Sequence, residues 1–195
     1  MSHFLVAFHK TLGHEGGYVH DPHDPGGETY CGITMRDHPD WSGWALIRES
    51  FTPPSPEIQQ QLEPHVADFY RRHYWDAFGG NDIAAISAEV AQELFDSGVN
   101  VGTRKANTWL QASLNVLRRA YSPRPYFDEL VEDGKIGPVT VRAFEVIAEN
   151  GDHHDVYKLL NIRQGQHYFD LAKEKPQPYQ RYLRGWLDRV EVEKQ

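Results

Sequence analysis

The stretch from His14 to Thr34 is punctuated by Gly16, Gly17, Pro22, Pro25, Gly26, Gly27 and Gly32, in a chain whose apolar residues otherwise recur at helical spacing. Proline presets φ and glycine takes conformations that other residues resist, so no helix runs through this stretch. Ahead of it, Phe4, Leu5, Phe8 and Leu12 recur at i, i+3 and i+4, and Gly13 is a good C-terminal stop. This predicts a first helix ending at Gly13, with Glu15 just past its end. The Asp-Pro, Gly-Gly and Gly-Ile-Thr pieces predict two short extended segments joined by turns, a small β-hairpin facing the helix end.

The remainder reads as helix. Ile58, Leu62, Val66, Phe69 and Tyr70 form one apolar stripe, Ile86, Val90, Leu94 and Val101 a second, and Trp109, Leu110, Leu114 and Leu117 a third. Val141, Phe144, Ile147 and Ala148 follow Pro138 at a helix start, Val156, Leu159, Leu160 and Arg163 begin another helix, and Tyr179, Tyr182, Leu183, Trp186 and Val190 mark a last one. Breaks fall at Trp41 to Trp44, Thr52 to Pro56, Gly79 to Asp82 and Tyr121 to Tyr126, none long enough for a flexible interdomain linker. The expected fold is mainly α with a small N-terminal β-hairpin: a helix-plus-hairpin lobe over residues 1–90 and a helical lobe over 91–195, packed as one compact unit with a cleft between them.

Composition narrows the partners. A chain of 195 residues with 39% hydrophobic content can bury a good core, and a formal charge of −8 argues against a nucleic-acid binder. Cys31, the one cysteine, excludes an intramolecular disulfide and reads as a packed hairpin residue more than a nucleophile. Eleven histidines, His3, His9, His14, His20 and His23 among them, raise the question of a metal site, but they lack the His-x-x-x-His spacing of a helical ligand pair, so neither metal nor cofactor is expected. Residues 1–10 contain neither a secretory apolar core nor a membrane span.

The chemistry-bearing residues gather in the turn-rich stretch. A carboxylic acid held at a helix end and further acids in the facing turns are how a glycosidic bond can be attacked, one group protonating the leaving oxygen and a second handling water or the anomeric carbon. Glu15 is the candidate acid. Asp21 and Asp24, each beside a proline, compete for the second role, although aspartates in such turns also cap backbone amides. Tyr18 and Tyr30 are either sugar-stacking platforms or hairpin aromatics.

These residues resemble glycoside hydrolase family 108, N-acetylmuramidases that include phage-type lysozymes and secretion activator proteins. Its Glu-Gly-Gly-Tyr signature stands at Glu15, Gly16, Gly17 and Tyr18, its Asp-Pro-x-Asp-x-Gly-Gly-x-Thr pattern at Asp21, Pro22, Asp24, Gly26, Gly27 and Thr29, followed by Gly32-Ile33-Thr34. Tyr70 to Trp75 and Phe95 to Asn100 resemble the family's middle helices, and Asp133 to Thr140 is similar to a turn of peptidoglycan-binding helical modules. Phage lysozymes more broadly space a Glu, an Asp and a Thr around a helix and hairpin; Glu15 and Asp24 match the first interval, while Thr29 falls one residue short.

The resemblance implies a lysozyme-like helical fold with a C-terminal peptidoglycan-binding region, hydrolysis of the β-1,4 bond between N-acetylmuramic acid and N-acetylglucosamine, and Glu15 as general acid. It places Asp24 or Asp21, with Thr29, at the water or the sugar cation, and offers Tyr18, Tyr30, Tyr74, Trp75 and Asn100 to the glycan. The expected partner is peptidoglycan, with no nucleic acid and no membrane insertion. With no secretory leader, the expectation is synthesis in the cytoplasm and passage to the wall through a holin or a dedicated exporter. Two other readings stand beside it, a non-catalytic wall-binding or secretion-assisting protein and a metal-dependent peptidoglycan peptidase.

Overall fold

The structure, a computed structural model, describes residues 2–13, 17–20, 27–50, 53–119 and 121–191. It is mainly helical with one small antiparallel sheet, and it forms two compact units, Met1–His73 and Tyr74–Gln195. Among the described residues no helix is long and apolar enough to cross a membrane.

In the first unit, helix α1 (His3–Leu12) opens on Ser2, whose hydroxyl accepts the Leu5 N–H, and closes on Gly13 at φ 53°, whose N–H bonds the His9 carbonyl. Its buried edge is Phe4, Ala7, Phe8 and Thr11, while Leu5 and Leu12 sit half-exposed at its margin. The hairpin gains a third strand: β1 (Tyr18–His20), β2 (Glu28–Tyr30) and β3 (Ile33–Thr34) pair in order, with Tyr18 opposite Tyr30 and Tyr30 opposite Ile33. The extra strand follows from the tight loop between β2 and β3. Cys31 and Gly32 both have positive φ, 46° and 78°, the two-residue turn whose twist matches that of the strands it joins.

Helix α2 (Gly43–Glu49) and helix α3 (Pro56–Tyr70) complete the unit. Ser55 caps α3 with Pro56 in its first turn, and Leu62, Val66, Phe69 and Tyr70 are buried as the stripe predicts, with Ile58 at the margin. Aromatic rings fill the gap between sheet and helices: Tyr30 stacks on Trp41 at 6.0 Å, and Trp41 meets Trp44 edge-on at 5.1 Å. Indole N–H groups are satisfied by backbone, Trp41 donating to the His65 carbonyl and Trp44 to that of His38. The Tyr70 hydroxyl donates to the Cys31 carbonyl at 2.8 Å, which pins the β2–β3 turn to α3.

The second unit has helices and no strand among its described residues, apart from a long irregular connection over residues 118–137. After a π-helical turn (Arg71–Trp75) and a short 3₁₀ turn (Asp76–Phe78) come α4 (Gly80–Ile86), α5 (Ala88–Val101), α6 (Thr103–Leu117), α7 (Pro138–Glu149) and α8 (His153–Glu174). The stripe expected to run from Ile86 to Val101 is split between two helices, because Ser87 turns extended at φ −150° and caps α5 by accepting the Val90 N–H. The last expected helix is likewise in pieces, α9 (Pro176–Tyr179), a 3₁₀ turn and α10 (Leu183–Leu187), none of whose residues is buried. Leu94, Phe95, Leu110, Leu114, Phe144, Ile147 and Leu160 form the core.

The Asp133 to Thr140 turn is bound by side chains of α6. Gln111 accepts the Gly134 N–H at 2.7 Å and donates to Asp133 Oδ1 at 3.0 Å and to the Lys135 carbonyl at 3.1 Å, while Asn107 donates to the Gly134 carbonyl. Gly134 has φ 75°, and a Cβ there would lie 2.6 Å from the Arg104 carbonyl oxygen, so only glycine fits. Asp133 is held below the usual carboxylate range by the Gln111 bond first and the Lys135 N–H second.

Candidate active site

The C-terminal end of α1, the turn of the hairpin and one face of α3 enclose a cleft of about 420 Å³ in the first unit. Gly13 and Gly17, the described residues on either side of Glu15, both line it, together with Phe8, His9, Leu12, Tyr30, Cys31, Gln59, Gln60, Glu63 and Val66. Glu15, Asp21 and Asp24 lie outside the described residues.

The walls carry little charge. Tyr30 is 5% exposed and its phenol is pushed up to about 12 by burial, with the neighbouring Cys31 and the charge of Glu63 adding to the effect. Burial also raises the Cys31 thiol, against a lowering bond from Tyr30. Both groups are therefore neutral at neutral pH, and with Phe8, Leu12 and Val66 they make a mostly apolar lining. A carboxyl facing such a lining is favoured in its protonated form, the form a general acid needs.

Strand alternation sorts the hairpin residues by face. Tyr18, His20, Glu28 and Tyr30 belong to one face: Tyr18 opposes Tyr30, His20 opposes Glu28, and the Tyr18 hydroxyl donates to Glu28 Oε1 at 3.1 Å. The Tyr18 phenol is raised by burial first and then by Glu28. Thr29 falls on the other face with Val19 and Thr34, so the sheet does not bring it together with the two tyrosines expected to share its site. Glu28 stands inside the motif quoted above and was legible by alternation from Tyr30. Glu63 was not, since nothing in the local pattern of α3 ties it to a site built at the chain's start.

The other proposed glycan contacts divide. Trp75 is 1% exposed, packed edge-on against Phe78 and Phe95 with its N–H given to Asn81 Oδ1, so its ring has no open face and it is a core residue. Tyr30, 5% exposed, stacks one ring face on Trp41 while it lines the cleft. Tyr74 is half-buried, and burial raises its phenol; Asn100 is exposed and donates to the Asp96 carbonyl at 2.7 Å. Among the described residues no group of three His, Cys, Asp or Glu side chains is placed to hold a metal ion.

Residues 8–102, which contain the whole hairpin and α3, match the model of the family described as Glycosyl hydrolase 108. Residues 8–102 therefore carry a domain of that family. Residues 105–191 match a second model, described as Predicted Peptidoglycan domain. The protein is therefore a glycoside hydrolase with a glycosyl hydrolase 108 domain joined to a predicted peptidoglycan domain, and its substrate is peptidoglycan. Among solved structures it is similar to one titled "Structure of Brucella abortus SagA", at 23% identity over 97% of this chain and 96% of that one, with a TM-score of 0.48. No curated protein matches the chain.

Proposed function

We propose that this protein is an N-acetylmuramidase that hydrolyses the β-1,4 bond between N-acetylmuramic acid and N-acetylglucosamine, with Glu15 as the general acid. The observation that carries the reading is the cleft: Gly13 and Gly17, which bracket Glu15 in the chain, line it on a mostly apolar wall. Such a wall supports a protonated carboxyl near neutral pH, able to give its proton to the leaving glycosidic oxygen. Asp24, at the interval from Glu15 shared with phage lysozymes, orients the water or stabilises the positive charge that builds on the sugar, with Thr29 from the same motif, and Asp21 is its competitor from the Asp-Pro turn. Tyr18 remains a sugar contact of this reading.

Mass spectrometry of the products released from purified peptidoglycan tests it. A muramidase leaves reducing ends of N-acetylmuramic acid. Reducing ends of N-acetylglucosamine, or peptide release without new reducing sugar, would replace it with a different hydrolase.

A further inference from the structure

Helices α5 and α8 meet through polar side chains where an apolar seam would hold them at least as well. Ser97 and Gln164 are fully buried and Asn161 is 3% exposed; Gln164 donates to Asp96 Oδ2 at 2.9 Å and to Ser97 Oγ at 3.2 Å. Burying such groups costs free energy unless each is partnered, and a partnered set adds little over well-packed apolar residues. Gln164 Oε1 and the Tyr168 hydroxyl, one turn apart on the same face of α8, are buried with no hydrogen-bond partner among the described residues.

The C-terminal segment lies across this seam. From Pro176 to Glu191 none of its residues is buried, yet it reaches four of the seam's groups. The Trp186 ring stacks on Tyr168 at 5.3 Å, Arg189 donates to Asp96 Oδ1 at 2.9 Å, the Glu191 N–H donates to Asn161 Oδ1 at 2.7 Å, and the Tyr157 hydroxyl donates to the Glu191 carboxylate. Val190 sits over Gly165 in the middle of α8, where a Cβ would stand 3.5 and 3.7 Å from its two methyls, an ordinary contact. Glycine weakens a helix interior relative to alanine, so the segment that covers Gly165 does not account for it. Gly165 stands beside Gln164 in the chain and three residues before Tyr168, whose polar atoms are the two without partners.

We propose that the α5–α8 seam is a peptide-binding groove which the C-terminal segment occupies as a displaceable strap, and that its ligand is a short peptide carrying an ammonium group and a carboxylate, the chemistry of the peptide stems of peptidoglycan. The ligand's ammonium takes the place of Arg189 on Asp96, its carboxylate that of Glu191 on Tyr157, and a peptide N–H is accepted by Asn161. The N-acetylated sugars of the glycan offer no cation to Asp96, which favours the peptide over the sugar chain. The proposal rests on peptidoglycan as the substrate and does not depend on Glu15.

The test is titration of the full chain with a synthetic tripeptide ending in meso-diaminopimelate, beside hydrogen exchange of the amides of residues 186–191. Binding is expected to speed exchange of those amides as the strap leaves. Arg189→Ala, its folding checked by a melting curve, is expected to bind the tripeptide about 10-fold more tightly, because the groove is no longer occupied by the chain itself. Asp96→Asn is expected to lose binding. No binding to either the native chain or Arg189→Ala, equal or weaker affinity of Arg189→Ala, unchanged exchange of the strap at saturation, or full affinity of Asp96→Asn each overturns the proposal. Equal binding of an N-acetylglucosamine tetrasaccharide overturns the assignment of the ligand as peptide. None of these readouts uses hydrolysis, so the muramidase reading stands or falls separately on its reducing ends.

Discussion

The two units of this chain are held together by different means. The first has a three-stranded sheet of minimal length, aromatic rings wedged between it and two helices, and indole and phenol groups tied to backbone carbonyls. It leaves clefts of about 420 and 390 Å³ open to solvent. The second has apolar stripes on long helices and a web of buried polar side chains: Ser97 donates to Glu93, Gln164 donates to Asp96 and Ser97, and Arg189 pairs with Asp96 at 2.9 Å. The chemistry-bearing residues sit where packing is thin and turns are many. Regular helices serve rigidity, and the turn-rich unit supplies a concave surface that they cannot.

That contrast predicts a graded series of stability losses. Leu110→Ala, at a fully buried position of the second unit, should cost about 2–5 kcal/mol and be the largest effect, read as a drop in melting temperature. Should it behave like a surface change, the second unit is not the packed one. Gln111→Ala removes the side chain that accepts the Gly134 N–H and anchors Asp133, so a loss of about 1–3 kcal/mol is expected from the stranded donor. Tyr70→Phe deletes a single bond to the Cys31 carbonyl and should cost about 1 kcal/mol, with turnover falling because the hairpin turn is less well fixed. Equal costs for Gln111→Ala and Tyr70→Phe would remove the distinction between a networked loop and a singly pinned one.

The smallest effect is a pH dependence. His73 borders the second cleft beside His38, and burial first, then His38 and Arg72, depress its imidazole below the usual 6.5. The unfolded chain binds this proton more readily than the folded one, so stability is full above that usual value and declines as pH falls below it. His73→Asn should flatten this decline in a melting series across that range, and a slope unchanged by the substitution would assign it to other groups.

Many of the helices in both units were legible because their stripes keep the helical period over many residues; Leu62, Val66, Leu110, Leu114, Phe144 and Leu160 are buried as their spacing predicts. Boundaries were less so. Ser87 interrupts a stripe that periodicity alone carries through, since a cap is chosen by one side chain and a local φ. In the site, the motif announced the hairpin, and alternation within it separates Thr29 from Tyr18 and Tyr30. For Tyr30 and Trp75 the sequence leaves both a glycan contact and a packing role open, because an aromatic ring suits a core and a sugar equally well; the packing of Trp75 against Phe95 and of Tyr30 against Trp41 is visible only in the fold. Glu63 escaped because its relation to Gly13 and Gly17 exists only in the folded unit.

The most direct test of the account is the turnover of Glu15→Gln on purified peptidoglycan, measured beside its melting curve. The amide keeps the shape of the acid and cannot give up a proton as the acid does. Turnover is expected to fall by at least about 100-fold with the melting temperature unchanged. A folded variant that still cleaves the glycan at close to the normal rate would contradict the account and remove Glu15 from the chemistry.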